Sequence, residues 1–263
     1  MVAQVTPDGV TSYDDVGQGR VLVLLHAFPF AQAMWRRQRE ELASVCRVLT
    51  PDLRGFGGTR DFDGTPSLDR MADDVAALLD ALRISEPVVL GGLSMGGYVA
   101  FAFVRRHAER LRGLVLADTK AEAEDAAGRA NRDRMIEFAA HNPASALIEQ
   151  LLPKLVSLQT PVRHPEVLIE LRQMASEQST DGMIGALQAM RDRPDSTPVL
   201  DTITVPAMVL VGKDDALTPP DAAQRMASRI AGARLVVIDG AGHMSNLEQP
   251  IAFNDALRTF LNS

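Results

Sequence analysis

The chain has 263 residues, 46% of them hydrophobic and 23% charged, a balance that fits a globular protein with a sizeable buried core. Its net charge of −7 argues against nucleic acid as the main partner, because phosphate backbones recruit basic faces, and against a polybasic membrane contact. The one cysteine, Cys46, excludes an internal disulfide, hints at a reducing compartment and, opening an apolar run, reads as a buried structural thiol.

The first residues, MVAQVTPDGVTSYDDVG, show no basic leader and no long apolar run, so no signal peptide is expected. No apolar segment reaches the roughly 20 residues of a spanning helix, and a cytoplasmic location is the expectation. Residues 1–19 read as a hairpin that turns at Pro7–Gly9, where proline presets one dihedral and glycine tolerates positive φ. The continuous apolar run Arg20–Ala27 predicts a strand buried on both faces, as in a parallel sheet. Met34–Ser44 is helical in composition, and Cys46–Leu53 is a second short strand. Ser67–Leu82 follows a helical period, with Leu68, Met71, Val75, Leu78, Leu79 and Leu82 on one face and Ser67 as N-cap. Strand, turn and helix then follow from Pro87 to Phe103, and Leu111–Thr119 gives another strand. Strands alternating with helices are the pattern of a parallel sheet covered on both sides.

The alternation stops between Lys120 and Thr197. This stretch has no strand-like run, only helical segments punctuated by proline: Ala123–Ala140, Ala144–Leu158, Pro165–Glu177 and Asp181–Arg191. It reads as a helical cap over residues 120–197, inserted between core segments 1–119 and 198–263. The alternation returns with a strand at Ala207–Asp215, a helix at Asp221–Ile230, a strand at Ala233–Gly240 and a closing helix at Leu247–Ser263.

Gly92, Ser94 and Gly96 spell G-x-S-x-G between an apolar strand and a helix. A sharp turn there strains the residue at its tip and lifts the Ser94 hydroxyl above the strand ends. The plainer role for Ser94 is a helix N-cap, but the strand before it and the helix after it are what a nucleophile elbow requires. A serine hydroxyl needs a base, and the base needs a carboxylate to orient it. Of the five histidines, His107, His141 and His164 read as surface residues, and His26 ends the first long strand. His243 lies in a glycine-rich loop after the last strand, at the carboxyl edge where ligands bind in open α/β sheets. Asp214, Asp215 and Asp118, each at the end of a strand, compete for the acid.

With these pieces in place the sequence resembles the α/β-hydrolase superfamily over nearly its whole length. It is most similar to small cap-bearing bacterial carboxylesterases and the 3-oxoadipate enol-lactonase-like group. The matching stretches are LLHAFPF, PDLRGFGGT, GLSMGG, VGKDDALTPP and GAGHMSNLEQP. The resemblance implies an α/β-hydrolase fold, Ser94 as nucleophile, His243 as base and, from its spacing after Gly212, Asp215 rather than Asp214 as acid. It also implies an oxyanion hole made of the backbone N–H groups of Phe28 and Met95, with Ala27 where the family usually has glycine. His26, Asp52 and Arg54 are expected to brace loops.

The implied activity is cleavage of small to medium apolar or aryl carboxylic esters through an acyl-enzyme. Phe30, Trp35, Leu93, Leu217 and Met244, with the cap residues Met183, Leu187 and Met190, are candidate substrate contacts. The last three recur at helical spacing, and cap core is the plainer reading for them. No metal or organic cofactor is implied: there is no zinc spacing and no G-x-G-x-x-G opening the sheet. The only partner expected is a small-molecule ester, with no nucleic acid and no membrane. Other readings are an enol-lactonase, which would need a cation near the site, a cofactor-free perhydrolase, and a ligand receptor on a hydrolase fold.

Overall fold

The computed structural model describes residues 2–6, 9–60 and 66–263. The expected turn residues Pro7 and Asp8 lie outside the described residues. The strands on either side, β1 (Val2–Thr6) and β2 (Gly9–Val16), pair antiparallel with Val5 opposite Val10. The other strands are β3 (Val21–Leu25), β4 (Arg47–Pro51), β5 (Val88–Leu93), β6 (Leu111–Ala117), β7 (Ala207–Gly212) and β8 (Arg234–Ile238). They form one eight-stranded sheet in the order β1-β2-β4-β3-β5-β6-β7-β8. Only the β1–β2 and β2–β4 pairs are antiparallel; the rest are parallel.

Parallel neighbours need crossovers, and helices provide them. In chain order these are α1 (Arg36–Leu42), α2 (Leu68–Ala81) and α3 (Met95–His107), then α10 (Pro220–Arg229) between β7 and β8. Between β6 and β7 lie α4 (Ala126–His141), α5 (Ala144–Leu155), α6 (Thr160–Arg163), α7 (Pro165–Ser176), α8 (Thr180–Arg191) and α9 (Thr197–Leu200). The chain closes with α11 (Ser245–Glu248) and α12 (Pro250–Leu261). Sequence reading located the four longer helices of the β6–β7 segment to within three residues at each end, but not the single-turn α6 and α9. The first predicted helix divides into a 3₁₀ turn at Gln32–Trp35 and α1.

Strand periodicity builds the three layers. Val23 and Leu25 point into the core shared with α2, α3 and α10, whereas Leu22 and Leu24 point into the core shared with α1 and α12. Helix α2 starts where expected: the Ser67 side chain accepts the Arg70 N–H at 3.2 Å. Phe101 and Phe103 of α3 are fully buried, each worth about 1.5–3 kcal/mol relative to exposure. The β6–β7 helices extend both cores, α4 and α8 continuing the first and α5 and α7 the second. Among the described residues no helix is long and apolar enough to cross a membrane.

Candidate active site

From β3 the chain reaches β4 on one side and β5 on the other, so the strand order reverses there. Crevices at the carboxyl ends of such strands are where open α/β sheets bind ligands. The β5 exit carries Ser94 at φ 54° and ψ −111°, a left-handed conformation that costs a non-glycine residue about 1 kcal/mol or more. The turn closes because Gly96 has no side chain: a Cβ there would lie 2.2 Å from the Leu25 carbonyl oxygen on β3. Ser94 occupies the N-cap position of α3 but makes no capping bond, and its hydroxyl has no hydrogen-bond partner among the described residues. The N-cap reading therefore fails as a stabilising role, and the strained, unbonded hydroxyl opens onto a cavity that His243 also lines.

Asp215 and His243 meet from the loops after β7 and β8. His243 Nδ1 lies 2.8 Å from Asp215 Oδ2, and both residues are buried. The carboxylate is fully occupied. Oδ1 accepts the N–H groups of Leu217 (2.8 Å) and Thr218 (3.0 Å), and Oδ2 also accepts the Thr218 hydroxyl at 2.6 Å. Burial pushes the Asp215 carboxyl up, but His243 and the Thr218 donors outweigh it and hold it below its ordinary value. With Oδ2 an acceptor, Nδ1 carries the ring proton and Nε2 is left to act as a base.

The other two acids point elsewhere. Asp214 accepts the Ser157 hydroxyl at 2.7 Å. Asp118, also at positive φ (43°), is buried, accepts the Gly212 N–H at 2.8 Å and bonds the Ser245 hydroxyl. Burial and the nearby Asp215 charge raise its carboxyl well above the usual range. Sequence reading passed over Thr218. Its signal was present in Asp215-x-x-Thr218, an Asx-type turn in which the acid binds the N–H groups two and three residues on.

The β3 exit is held by the expected braces. His26 Nε2 accepts the Leu53 N–H at 2.9 Å, so Nδ1 bears the proton and donates to the Ala27 carbonyl at 3.0 Å. Asp52 accepts the N–H groups of Gln32 (2.8 Å) and Gly58 (2.9 Å), and Arg54 Nε donates to Asp74 at 2.8 Å. Ala27 is not at positive φ, so alanine takes the place of the usual glycine without strain. The N–H groups of Phe28 and Met95 have no acceptor among the described residues.

The shared cavity has a volume of about 310 Å³. Of the expected substrate contacts, Met190 and Leu217 line it, as does Phe28, expected for the oxyanion hole. Phe30, Trp35, Leu93, Met183, Leu187 and Met244 do not, and this corrects the sequence reading: all six are at most 1% exposed and belong to the packed cores. Trp35 packs on Phe253, with ring centroids 5.9 Å apart. Helix α8 lies against Gly55 and Pro66, so Met183 and Leu187 face the core rather than the cavity. The wall is also less apolar than expected. Lys120, Arg132 and Lys154 face the cavity with Glu124, three cations against one carboxylate.

Glu124 binds Lys120, Arg132 and Arg193. Burial pushes its carboxyl up, but the cations outweigh this and hold it at about 2, down from 4.5. A depressed carboxylate contributes stability above its unfolded value and loses it as pH falls through the folded one. Thermal melts of the wild type are thus expected to lose stability between about pH 4.5 and pH 2. Glu124→Gln should be less stable at pH 7 and should approach the wild type below pH 2. Equal melting of the two proteins at pH 7 would contradict this role.

Comparison with known proteins places the geometry in a family. A model of the alpha/beta hydrolase family matches residues 22–256. The chain belongs to the alpha/beta hydrolase family. A thermophilic esterase from Thermogutta terrifontis, solved with malate bound, superposes with a TM-score of 0.95 at 40% identity, covering 99% of this chain and 97% of the other. The enol-lactonase from Burkholderia xenovorans LB400 gives 0.92 at 28% identity, with both chains fully covered. In sequence, 3-oxoadipate enol-lactonase 2 from Acinetobacter baylyi is 26% identical over 258 residues, 97% of this chain and 94% of the relative. This alpha/beta hydrolase thus has both esterase and enol-lactonase homologues, as the sequence motifs implied, and its kinship supports hydrolase activity.

Proposed function

We propose that the protein is a serine hydrolase that cleaves carboxylic esters through Ser94, His243 and Asp215. The observation that carries this reading is the 2.8 Å His243–Asp215 bond beside a cavity shared by His243 and the unbonded Ser94 hydroxyl. Ser94 Oγ attacks the ester carbonyl while His243 Nε2 takes its proton. The Phe28 and Met95 N–H groups receive the oxyanion, each worth about 10²–10³ in rate. His243 then protonates the leaving alcohol as the C–O bond breaks. Water, deprotonated by His243, attacks the acyl-enzyme, and the acid leaves as Ser94 regains its proton. No hydrogen bond joins the Ser94 hydroxyl to His243 among the described residues; catalytic bonds of this kind often form only in the substrate complex. The test is turnover of p-nitrophenyl acetate and butyrate with and without a serine-directed phosphonate. Multiple turnovers, abolished as the phosphonate labels Ser94, support the proposal; turnover that survives full labelling refutes it.

A second reading, hydrolysis of a lactone or ester that carries a free carboxylate, is favoured by Lys120, Arg132 and Lys154 on the cavity wall. Residues 120–197, which we read as a cap, contribute all three. An anionic group remote from the scissile bond would find a net positive surface there. A monoester of a short dicarboxylic acid should then be cleaved at least about tenfold more efficiently than its methyl diester, one charge-assisted contact's worth. Equal kcat/KM for the two would return the choice to neutral esters.

A further inference from the structure

Glu248 sits at the end of α11, is 1% exposed, and forms no ion pair with any described residue. Its carboxylate nevertheless joins two parts of the site. Oε1 accepts the N–H of Gly242, the residue before His243, at 2.8 Å. Oε2 accepts the Ser157 N–H at 2.7 Å and the Thr160 hydroxyl at 2.5 Å. Ser157 lies in the turn that follows α5 and Thr160 opens α6, while α5 presents Leu151, Lys154 and Leu155 to the cavity. A parallel link, Met244 N–H to the Leu155 carbonyl at 2.9 Å, runs from the residue after His243. The seam is tight: a Cβ on Gly242 would lie 2.5 Å from Ser157 N. A buried carboxylate held only by neutral donors is costly, and burial raises its pKa despite the Thr160, Ser157 and Gly242 bonds. An apolar side chain could fill that space at less cost. What it could not do is accept donors from both sides at once.

We infer that Glu248 is a positioning residue that locks the His243 loop to the α5 wall of the substrate cavity, so that the placement of the base depends on the placement of that wall. The inference rests on the Ser94–His243–Asp215 reading. Glutamine keeps the shape of Glu248 but turns one acceptor into a donor, so it can satisfy one side of the seam and repels the other. Thr160→Val removes a single wall-side bond.

The test compares wild type, Glu248→Gln, Thr160→Val and the double variant on p-nitrophenyl butyrate, with rates normalised to phosphonate-titrated sites. Glu248→Gln should lower kcat about tenfold or more with KM nearly unchanged, since a charge-assisted contact is lost. Thr160→Val should lower kcat about two- to fivefold, and the double variant should be no worse than Glu248→Gln alone, because both cut one linkage. Glu248→Asp should recover part of the loss. A lower melting temperature with wild-type kcat per titrated site would overturn the inference, as would strict additivity. If Glu248→Gln does not fold, the kcat of Thr160→Val decides alone, and an unchanged value overturns it. Ser94→Ala as a parallel control separates the cases: turnover above about 1% of wild type in that variant sinks the triad, whereas a Ser94→Ala below that level beside an unaffected Glu248→Gln sinks only this linkage.

Discussion

Ser94→Ala is expected to lower kcat for p-nitrophenyl esters by about 10⁴-fold or more, the scale on which loss of a serine nucleophile acts. The fold should barely notice. The Ser94 side chain makes no capping bond, so removing its hydroxyl takes away no structural interaction. The melting temperature should therefore match the wild type, which separates loss of chemistry from loss of structure. Ser94→Gly carries the argument further. At φ 54° a Cβ is strained, and glycine is not. This variant should be as inactive as Ser94→Ala yet more stable by about 1 kcal/mol, a rise of about 2–4 °C for a chain of this size. A Ser94→Ala protein with more than about 1% of wild-type kcat, two orders above the expected residue, would remove Ser94 from the mechanism.

Asp215→Asn should lower kcat by about 10³–10⁴-fold. The asparagine keeps the size of the side chain but presents an amide to donors on both sides. If its oxygen stays with the Thr218 and Leu217 N–H groups, its NH₂ meets His243, which must then turn Nδ1 into an acceptor and protonate Nε2. That is the wrong tautomer for a base facing Ser94. Asp214→Asn should stay within about threefold of the wild type, as for a surface site, because an amide oxygen can still accept the Ser157 hydroxyl. Measuring kcat/KM for both variants on one ester decides the register of the acid. The opposite ranking would move the role to Asp214.

The sheet and its crossovers were legible because their signal is local. A run such as Val21–Leu25, apolar on both faces, reads as a parallel strand whatever lies far along the chain, and α2 announces itself by its stripe and by Ser67. Chain order and topology also place Ser94, Asp215 and His243 at one edge of the sheet. The choice between Asp214 and Asp215 was not local: it needed family resemblance, and the structure places Asp215, not Asp214, on the imidazole. The cavity wall was least legible. Met183 and Met190 lie on one helix seven residues apart and look alike in sequence, yet Met190 lines the cavity while Met183 is buried against the core. Which of them faces the cavity depends on how α8 docks, and no periodicity within α8 records that. Glu248 was passed over for a similar reason. Its partners Ser157 and Thr160 are about 90 residues away in sequence, and no spacing rule connects them.

The inward-facing lysines and arginine sit inside a chain whose total charge is −7. The two fields act at different ranges. An anion approaching from bulk solvent first meets the repulsion of the whole molecule, which physiological salt screens within about 8 Å. Once past the rim it meets the cations at contact distance, where mobile ions have little room to intervene. Ionic strength should thus govern how often such a molecule arrives far more than how firmly it is held, and an acid released by the proposed ester cleavage should be driven outward as soon as it clears the mouth.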